Sequence, residues 1–141
     1  MKILILCTGN SCRSQMAHGY MQLFDKRLKV FSAGTEPALR VNPMAVEVMK
    51  KAGIDISTHT PKSVDQYLLE EWDYVITVCD SAKETCPVFS GKVRHRLHMS
   101  FEDPSLVKGS YSEVQNEFYR IRNDIRDEFY KLFESEIRKK I

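Results

Sequence analysis

Cys7-Thr8-Gly9-Asn10-Ser11-Cys12-Arg13-Ser14 follows directly after the apolar run Ile3-Leu4-Ile5-Leu6. An apolar run, a glycine-containing loop and a polar helix start predict a strand, a loop and a helix in succession. Gly9 and Asn10 tolerate backbone conformations that turn successive amide groups inward. The helix that begins near Ser14 adds the positive end of its dipole to the same loop. The stretch therefore predicts a loop that binds a tetrahedral anion.

Cys7 and Arg13 give this loop its expected chemistry. The guanidinium of Arg13 presents its donors in a planar fork that fits two oxygens of a phosphate-like anion. The same positive field favours a thiolate, so we expect a lowered pKa for Cys7 and a nucleophile at neutral pH. The plain alternative for Cys7 is a small buried core residue. The order of strand, loop, arginine and helix favours the catalytic interpretation.

Length and charge bound the class of protein. A chain of 141 residues is expected to fold as a single domain over residues 1–141. The formal net charge of +2, with basic and acidic residues interspersed, gives no indication of nucleic acid binding. No apolar run approaches the ~20 residues of a membrane span, and the first residues do not resemble a signal peptide. We expect a cytoplasmic monomer.

The four cysteines, at positions 7, 12, 79 and 86, indicate catalysis or redox chemistry. Without a secretory signal they do not indicate a structural disulfide framework. They contain no C-x-x-C pair, and His95 and His98 are the only imidazoles near them in sequence, so they match a structural zinc site poorly. We predict no metal site.

Helical and strand periodicities alternate along the chain. We predict helices from Ser14 to the late twenties, from Pro43 to just before Gly53, over residues 64–72, and along a closing segment whose capping box is Ser112-Glu-Val-Gln115. Strands are predicted at residues 3–6, 28–32, 74–78 and 92–99, and residues 80–85 have helical tendency. This alternation predicts an α/β three-layer sandwich with a four-stranded parallel sheet and right-handed crossovers.

Two further reactive groups are predicted at the same sheet edge as the loop. Cys79 follows the strand at residues 74–78, and ligands gather at the carboxyl ends of parallel strands, so Cys7 and Cys79 are expected to face one crevice. Asp103, in the turn Phe101-Glu-Asp-Pro104, places an acid beside that edge. The plain alternatives are ordinary buried thiols at Cys79 and Cys86, and a turn residue at Asp103.

At this point the chain resembles the thioredoxin-coupled arsenate reductases, which share their fold with low-molecular-weight protein tyrosine phosphatases. The resemblance covers nearly the whole chain, and its most specific part is the cysteine pair at 79 and 86. The matching motifs are Cys7 to Ala17, Ser32-Ala-Gly34, Asn42-Pro43, Ile54-Asp-Ile-Ser57, His59-Thr60, Val78-Cys79-Asp80, Cys86-Pro87 and Phe101-Glu-Asp-Pro104.

The resemblance implies a role for each residue around the loop. Cys7 would attack arsenate while Arg13 neutralises the oxyanion. Ser14 would hydrogen-bond the Cys7 thiolate, and Asn10 would hold the shape of the loop. Asp103 would act as the general acid that protonates the departing oxygen. Thr8, Gly9, Ser11 and Cys12 complete the oxyanion-binding loop, with Cys12 interpreted as a packing residue.

The resemblance also implies a thiol relay. Cys79 would attack Cys7 and release arsenite, and Cys86 would then attack Cys79. Reduced thioredoxin would reduce the resulting disulfide, so no bound cofactor is needed. On a helix, seven residues span about 10.5 Å at ~1.5 Å per residue, whereas a disulfide needs Cα atoms within roughly 7 Å. We therefore predict that the segment between Cys79 and Pro87 unwinds on oxidation, which faster amide exchange in the oxidised protein would reveal.

Two positions depart from the family pattern. His18 and Lys62 stand where family members that bind potassium near the loop often have carboxylates. Nitrogen groups suit a hard cation poorly. We predict no potassium requirement, with Lys62 in the electrostatic role of the ion.

Two other functions could use the same frame. A phosphatase needs only Cys7, Arg13 and Asp103, but leaves the cysteines at 79 and 86 unexplained. It also expects an aromatic pair after the Asp-Pro turn, where this chain has Ser105-Leu106. A non-enzymatic redox-sensing or anion-sensing module would need a large exposed apolar surface, which the sequence does not indicate.

Overall fold

The computed structural model, which describes residues 1–80, 82 and 86–141, contains a parallel sheet. Within the described residues its four strands are β1 (Lys2–Cys7), β2 (Lys29–Gly34), β3 (Trp72–Thr77) and β4 (Val93–His98). They lie in the order β2-β1-β3-β4, and every neighbouring pair is parallel. The predicted four-stranded parallel sheet is confirmed.

One face of the sheet is covered by helices. Ile3, Ile5 and Cys7 project from β1 into the larger of two apolar clusters. Three helices contribute to this cluster, namely α1 (Arg13–Phe24), α2 (Pro43–Lys51) and α3 (Tyr111–Leu132). We call this side the helix-covered face.

The opposite side, which we call the turn-covered face, carries the smaller cluster. Leu4 and Leu6 project to it because successive side chains of a strand alternate. Val64 of the 3₁₀ turn Val64–Tyr67, Trp72 and Phe89 pack against them. Helices, sheet and turn-bearing segments thus form the three predicted layers.

The helix between β1 and β2 is shorter than predicted, and β2 ends later than predicted. α1 ends at Phe24, because Asp25 adopts an extended conformation and accepts the amide of Arg27 at 2.9 Å. β2 continues through Gly34 instead of ending at Ser32, since Ala33 and Gly34 pair with Leu6 and Cys7 of β1. The predicted cap of α2 is confirmed by the bond from the Met44 amide to Asn42 Oδ1, at 2.8 Å.

The helix predicted over residues 64–72 is wrong, since only the 3₁₀ turn Val64–Tyr67 forms. The carbonyl oxygen of Leu68 accepts the amides of Ser90 and Gly91 instead of continuing a helix. The amide of Trp72 donates to Lys92 O at 2.8 Å, which begins β3 two residues earlier than predicted.

The capping box of the closing helix lies two residues before the predicted one. Ser110 and Glu113 form it, each accepting the other's amide at 3.2 Å. The chain therefore offers two overlapping Ser-x-x-Glu/Gln patterns, and α3 uses the first. Beyond α3 the chain continues through a π turn, Phe133–Ile137, and a 3₁₀ turn, Arg138–Lys140.

The sheet ends at the edge strand β4, on which Arg94, His95 and Arg96 are exposed. The helical tendency predicted for residues 80–85, and its redox-coupled unwinding, involve residues 81 and 83–85, which lie outside the described residues. No helix in the described part of the chain combines the length and apolar character needed to cross a membrane.

Candidate active site

The two central strands end at a topological switch point. β1 continues to β2 on one side of the sheet, whereas β3 continues to β4 on the other, so a crevice opens between their carboxyl ends. Cys7 is the last residue of β1, and Cys79 lies two residues beyond Thr77, the last residue of β3. Their side chains are both buried, and Thr8 Oγ1 lies 3.4 Å from Cys79 Sγ. The expectation that both cysteines face one crevice is confirmed.

The loop between β1 and α1 turns its carbonyl groups outward. Every carbonyl oxygen from Cys7 to Cys12 accepts a hydrogen bond, and the backbone donors to Cys7, Thr8, Gly9 and Ser11 are Thr35, Glu36, Ala38 and Asn42, at 2.8–3.2 Å. The C=O and N–H of a trans peptide point in opposite directions, so the amides of residues 8–13 face the hollow of the loop. These amides form the anion-binding nest that the sequence predicts.

Asn10 holds the loop in this shape. It adopts the left-handed conformation, with φ 49°, and it is fully buried. Its Nδ2 donates to Ser14 Oγ at 2.8 Å, and its Oδ1 accepts the Lys62 amide at 2.9 Å. Ser14 is therefore bonded to Asn10, and within the described residues no bond joins it to Cys7, although its hydroxyl hydrogen remains available to an acceptor.

Gly34, at the end of β2, allows the loop to approach the sheet. A Cβ atom at this position would lie 2.4 Å from Thr8 O, a distance that real Cβ atoms do not adopt. The Gly34 amide also donates to Lys62 O at 2.8 Å. The absence of a side chain at this position is thus a condition for the loop geometry.

Arg13 reaches from the first turn of α1 across the mouth of the loop. Its Nη1 donates to Phe101 O at 2.9 Å, and its Nη2 lies 3.5 Å from Asp103 Oδ2. Its Nε is buried without a hydrogen-bond partner among the described residues. Because an unpaired buried donor is unfavourable, this N–H and the inward amides together suit an oxyanion in the loop.

Asp103 is held at the same mouth. Its Oδ1 accepts the amide of Ser105 at 2.9 Å and the Ser105 hydroxyl at 2.6 Å, while Oδ2 faces Arg13. These bonds leave the carboxylate partly exposed beside the guanidinium. The structure therefore brings Cys7, Arg13 and Asp103 together, as the sequence predicts.

The thiols of Cys7 and Cys79 are close enough for one to donate a hydrogen bond to the other. Chiefly through this bond, and also through the Thr8 hydroxyl and Arg13, the pKa of Cys79 is lowered to about 5. The same bond, followed by burial, raises the pKa of Cys7 despite the opposing charge of Arg13. The expected lowering of the Cys7 pKa is wrong for this arrangement, because the thiolate of the pair lies on Cys79.

Cys86 lies apart from this pair, on the turn-covered face. It is half-buried, with its Sγ 3.6 Å from Pro87 O, and it lines a cavity of about 210 Å³ with Arg96 and His98. Burial raises the pKa of Cys86, and the Arg96 charge opposes that effect. The structure therefore joins two of the three predicted relay thiols and separates the third.

Two further parts of the loop region are Cys12 and the flank at His18 and Lys62, for which no potassium requirement is predicted. Cys12 is buried in the helix-covered cluster, where burial, and then Asp103, raises its pKa. The described residues contain no group of three or more His, Cys, Asp or Glu side chains that could hold a metal ion. His18 and Lys62 both line an open cavity of about 320 Å³, whose polar lining consists of imidazole, hydroxyl, amide and ammonium groups and contains no carboxylate.

Sequence reasoning missed several side-chain contacts around the site. Thr8 bonds Cys79, and Thr77 and Asp80 bond the two ring nitrogens of His98 at 2.7 and 2.8 Å. Gln15, at a buried position of α1, was not singled out either. A polar residue directly after Ser14 on the inner side of a helix was the available signal for Gln15, whereas the others depend on long-range packing.

At one edge of the sheet, a strand, an oxyanion loop and a helix in succession place a cysteine and an arginine, and an aspartate lies beside the arginine. This arrangement defines a phosphatase-like class of protein. The model of the family described as low molecular weight phosphotyrosine protein phosphatase matches residues 2–141. The chain belongs to this family.

Within that family the chain is similar to arsenate reductases. It is 44% identical over 124 residues to the arsenate reductase of Halalkalibacterium halodurans, covering 87% of this chain and 88% of the relative. A solved arsenate reductase in the phosphate-binding state superposes with a TM-score of 0.77 at 30% identity, over 94% of this chain and 96% of that one. A thioredoxin-dependent arsenate reductase from Corynebacterium glutamicum gives a TM-score of 0.64 at 28% identity, over 96% of this chain and 63% of that one.

Proposed function

We propose that this protein reduces arsenate to arsenite through Cys7, Cys79 and Cys86, with reduced thioredoxin as the electron donor. The observation that carries the proposal is the placement of two buried cysteines, Cys7 and Cys79, at the carboxyl ends of the neighbouring strands β1 and β3, inside the oxyanion crevice. The similarity to arsenate reductases, one of them thioredoxin-dependent, supports it. We also propose that the protein acts as a cytoplasmic monomer, since the proposed relay needs its cysteines as free thiols and such thiols persist in a reducing compartment.

In the first step, Cys7 attacks arsenate held in the loop. The inward amides and the Arg13 fork bind the oxyanion oxygens, and Cys7 passes its proton to Cys79 as it becomes the nucleophile. A sulfur–arsenic bond forms and an oxygen leaves arsenic. Asp103, beside Arg13 at the loop mouth, donates the proton that lets this oxygen leave as water.

In the second step, Cys79 attacks the sulfur of Cys7. A sulfur–sulfur bond forms, the sulfur–arsenic bond breaks, and its electron pair remains on arsenic, which is thereby reduced and leaves as arsenite. Cys79 needs no rearrangement to begin this step, because it already contacts Cys7. Before it attacks, Cys79 gives up to solvent the proton that it took from Cys7, and the Thr8 hydroxyl and the charge of Arg13 favour the thiolate that results.

In the third step, Cys86 loses a proton and attacks the sulfur of Cys79. The disulfide moves to Cys79 and Cys86, and Cys7 leaves as a thiolate in the loop. A dithiol of thioredoxin then reduces the new disulfide. Because Cys86 lies on the turn-covered face, the chain between the two cysteines must rearrange for this bond to form.

Phosphomonoester hydrolysis is the second candidate function. Cys7, Arg13 and Asp103 form the arrangement that a phosphocysteine mechanism requires, and the matched family model is that of a phosphatase. Hydrolysis by water leaves the Cys7–Cys79 contact without a role, so we place this activity second.

The test is NADPH oxidation by thioredoxin and thioredoxin reductase in the presence of arsenate. Wild type is compared with Cys79→Ser and Cys86→Ser, and each protein is also assayed for p-nitrophenyl phosphate hydrolysis. Loss of arsenate turnover in both variants, with hydrolysis retained, is the expected result. Absence of arsenate turnover in the wild type together with fast hydrolysis would establish the phosphatase instead.

A further inference from the structure

One carbonyl group of the oxyanion loop differs from the others in its donor. Five of the six carbonyl oxygens from Cys7 to Cys12 accept backbone amides. The sixth, Asn10 O, accepts the side-chain amide of Gln15 Nε2 at 3.1 Å. The orientation of the peptide between Asn10 and Ser11 therefore depends on a side chain.

The orientation of Gln15 is fixed in turn by His59. Gln15 is buried, and with its Nε2 donating to Asn10, its Oε1 can only accept. His59 Nδ1 lies 2.9 Å from this oxygen, so Nδ1 carries the proton and donates. A directed chain of hydrogen bonds thus runs from His59 through Gln15 to the loop carbonyl.

His59 is itself held by the wall of the neighbouring cavity. Its ring packs against that of His18, with 4.7 Å between ring centroids, and His18 Nδ1 lies 2.9 Å from Ser32 Oγ of β2. Burial lowers the pKa of His59, and burial followed by His59 lowers the pKa of His18 to about 4. Both rings are therefore neutral at neutral pH, which leaves the chain of donors undisturbed by charge.

We propose that Gln15 and His59 are positioning residues that hold the Asn10 carbonyl outward and thereby aim the Ser11 amide at the bound oxyanion. Neither side chain needs to touch the substrate. The peptide bond between Asn10 and Ser11 follows a left-handed residue. Without a donor to the Asn10 carbonyl, this peptide is free to rotate its N–H out of the hollow. The inference rests on the proposed oxyanion chemistry but concerns the binding of any tetrahedral oxyanion.

Matched substitutions at the two stacked histidines test this chain. His59→Met removes the donor to Gln15, and His59→Gln restores a donor of similar reach. His18→Met replaces the other ring of the stack by an apolar side chain that can still pack against His59, and it leaves the hydrogen bonds of the chain in place. The probe is inorganic phosphate, measured by its protection of Cys7 against alkylation. We expect His59→Met to weaken phosphate binding about tenfold, the effect of leaving one buried acceptor unpaired, and His59→Gln to recover most of it. His18→Met should bind phosphate as the wild type does.

Two further measurements separate positioning from general damage. In His59→Met the KM for arsenate and for p-nitrophenyl phosphate should rise together with the dissociation constant for phosphate. Thioredoxin should still reduce the isolated oxidised variant at the wild-type rate. Gln15→Met, once thermal unfolding has shown that it is folded, should weaken phosphate binding as much as His59→Met does. Equal weakening by His18→Met and His59→Met, no recovery in His59→Gln, or unchanged phosphate binding in His59→Met would overturn the proposal. Since phosphate binding needs no reductase, these outcomes are independent of whether arsenate is turned over.

Discussion

The two faces of the sheet hold the reactive thiols in different states. On the helix-covered face Cys7 and Cys79 are buried, lie close to each other and are placed near Arg13. On the turn-covered face Cys86 is half-buried beside Arg96, and its own contact is to the neighbouring Pro87. Cys79 can thus react with Cys7 directly but reaches Cys86 only after a rearrangement. This difference supports the order of steps in the proposed relay, in which Cys79 reacts first with Cys7 and then with Cys86.

The largest effect is expected from removing Cys86, the thiol on the turn-covered face. Pre-reduced Cys86→Ser should release at most one equivalent of arsenite and stop as a Cys7–Cys79 disulfide, because the preassembled pair needs nothing from the other face. Cys79→Ser should release almost none. Arsenite is measured in a single-turnover assay, and the disulfide is located by mass spectrometry. Several equivalents of arsenite from Cys86→Ser, without an added small thiol, would contradict the separation of roles.

The two cations beside the thiols should differ in effect. Arg13→Gln removes a preorganised donor from the oxyanion loop and should lower both arsenate turnover and p-nitrophenyl phosphate hydrolysis about 10²–10³-fold. Arg96→Gln should leave hydrolysis unchanged. It should slow thioredoxin-coupled turnover a few-fold, since loss of the positive charge raises the pKa of Cys86. Equal losses of hydrolysis in the two variants would show that the faces are not independent.

Titration of the thiols sharpens the assignment of charge within the pair. The difference in thiolate absorbance between wild type and Cys79→Ser should rise through a midpoint near pH 5, the lowered pKa of Cys79. In Cys7→Ser the midpoint should move upward, because the bond from Cys7 is the main cause of the lowering. A midpoint unchanged by Cys7→Ser would place the charge elsewhere.

The lowered pKa of Cys79 also makes the stability of the fold depend on pH. In the folded protein Cys79 is ionised above about 5, and in the unfolded chain only above its ordinary pKa of 9.0. The free energy of unfolding should therefore rise between these values, and the contribution is lost as the pH falls through about 5. Denaturant titrations of wild type and Cys79→Ser should diverge over this window and converge below it.

The smallest expected effect concerns the flank of the loop at His18 and Lys62. Replacing sodium by potassium at constant ionic strength should leave arsenate turnover unchanged, since the cavity there offers no carboxylate. A several-fold rise in turnover with potassium would contradict this prediction and would require another cation site.

The parts of the fold that follow from local order were predictable from the sequence. The passage from β1 through the loop to α1 lies within a few residues, so Cys7 and Arg13 could be placed without tertiary information. The crevice followed from strand order, which brought Cys79 to Cys7. The helix over residues 64–72 failed because Leu68 and Trp72 bond to the segment before β4, and such long-range competition is not encoded in periodicity.

The electrostatics of the site were less predictable than its composition. The loop and Arg13 alone predict a thiolate on Cys7, but the interaction with Cys79 places the negative charge on Cys79 instead. Ser14 likewise accepts a hydrogen bond from Asn10, because the side-chain amide of this buried residue needs an acceptor. The Gln15–His59 bond joins residues 44 positions apart. Sequence spacing supplies the residue types of a site, whereas its charge state depends on which partners pack against it.

The edge strand β4 has a consequence for the behaviour of the protein in concentrated solution. An unpaired strand edge is a template for pairing with another chain, and natural proteins protect such edges with charged side chains. β4 exposes Arg94 and Arg96 on either side of His95, so two copies that approached edge to edge would bring like charges together. The charged side chains of this strand are thus of the kind that protects an exposed sheet edge from pairing with another chain, and replacing them by neutral residues should favour edge-to-edge association.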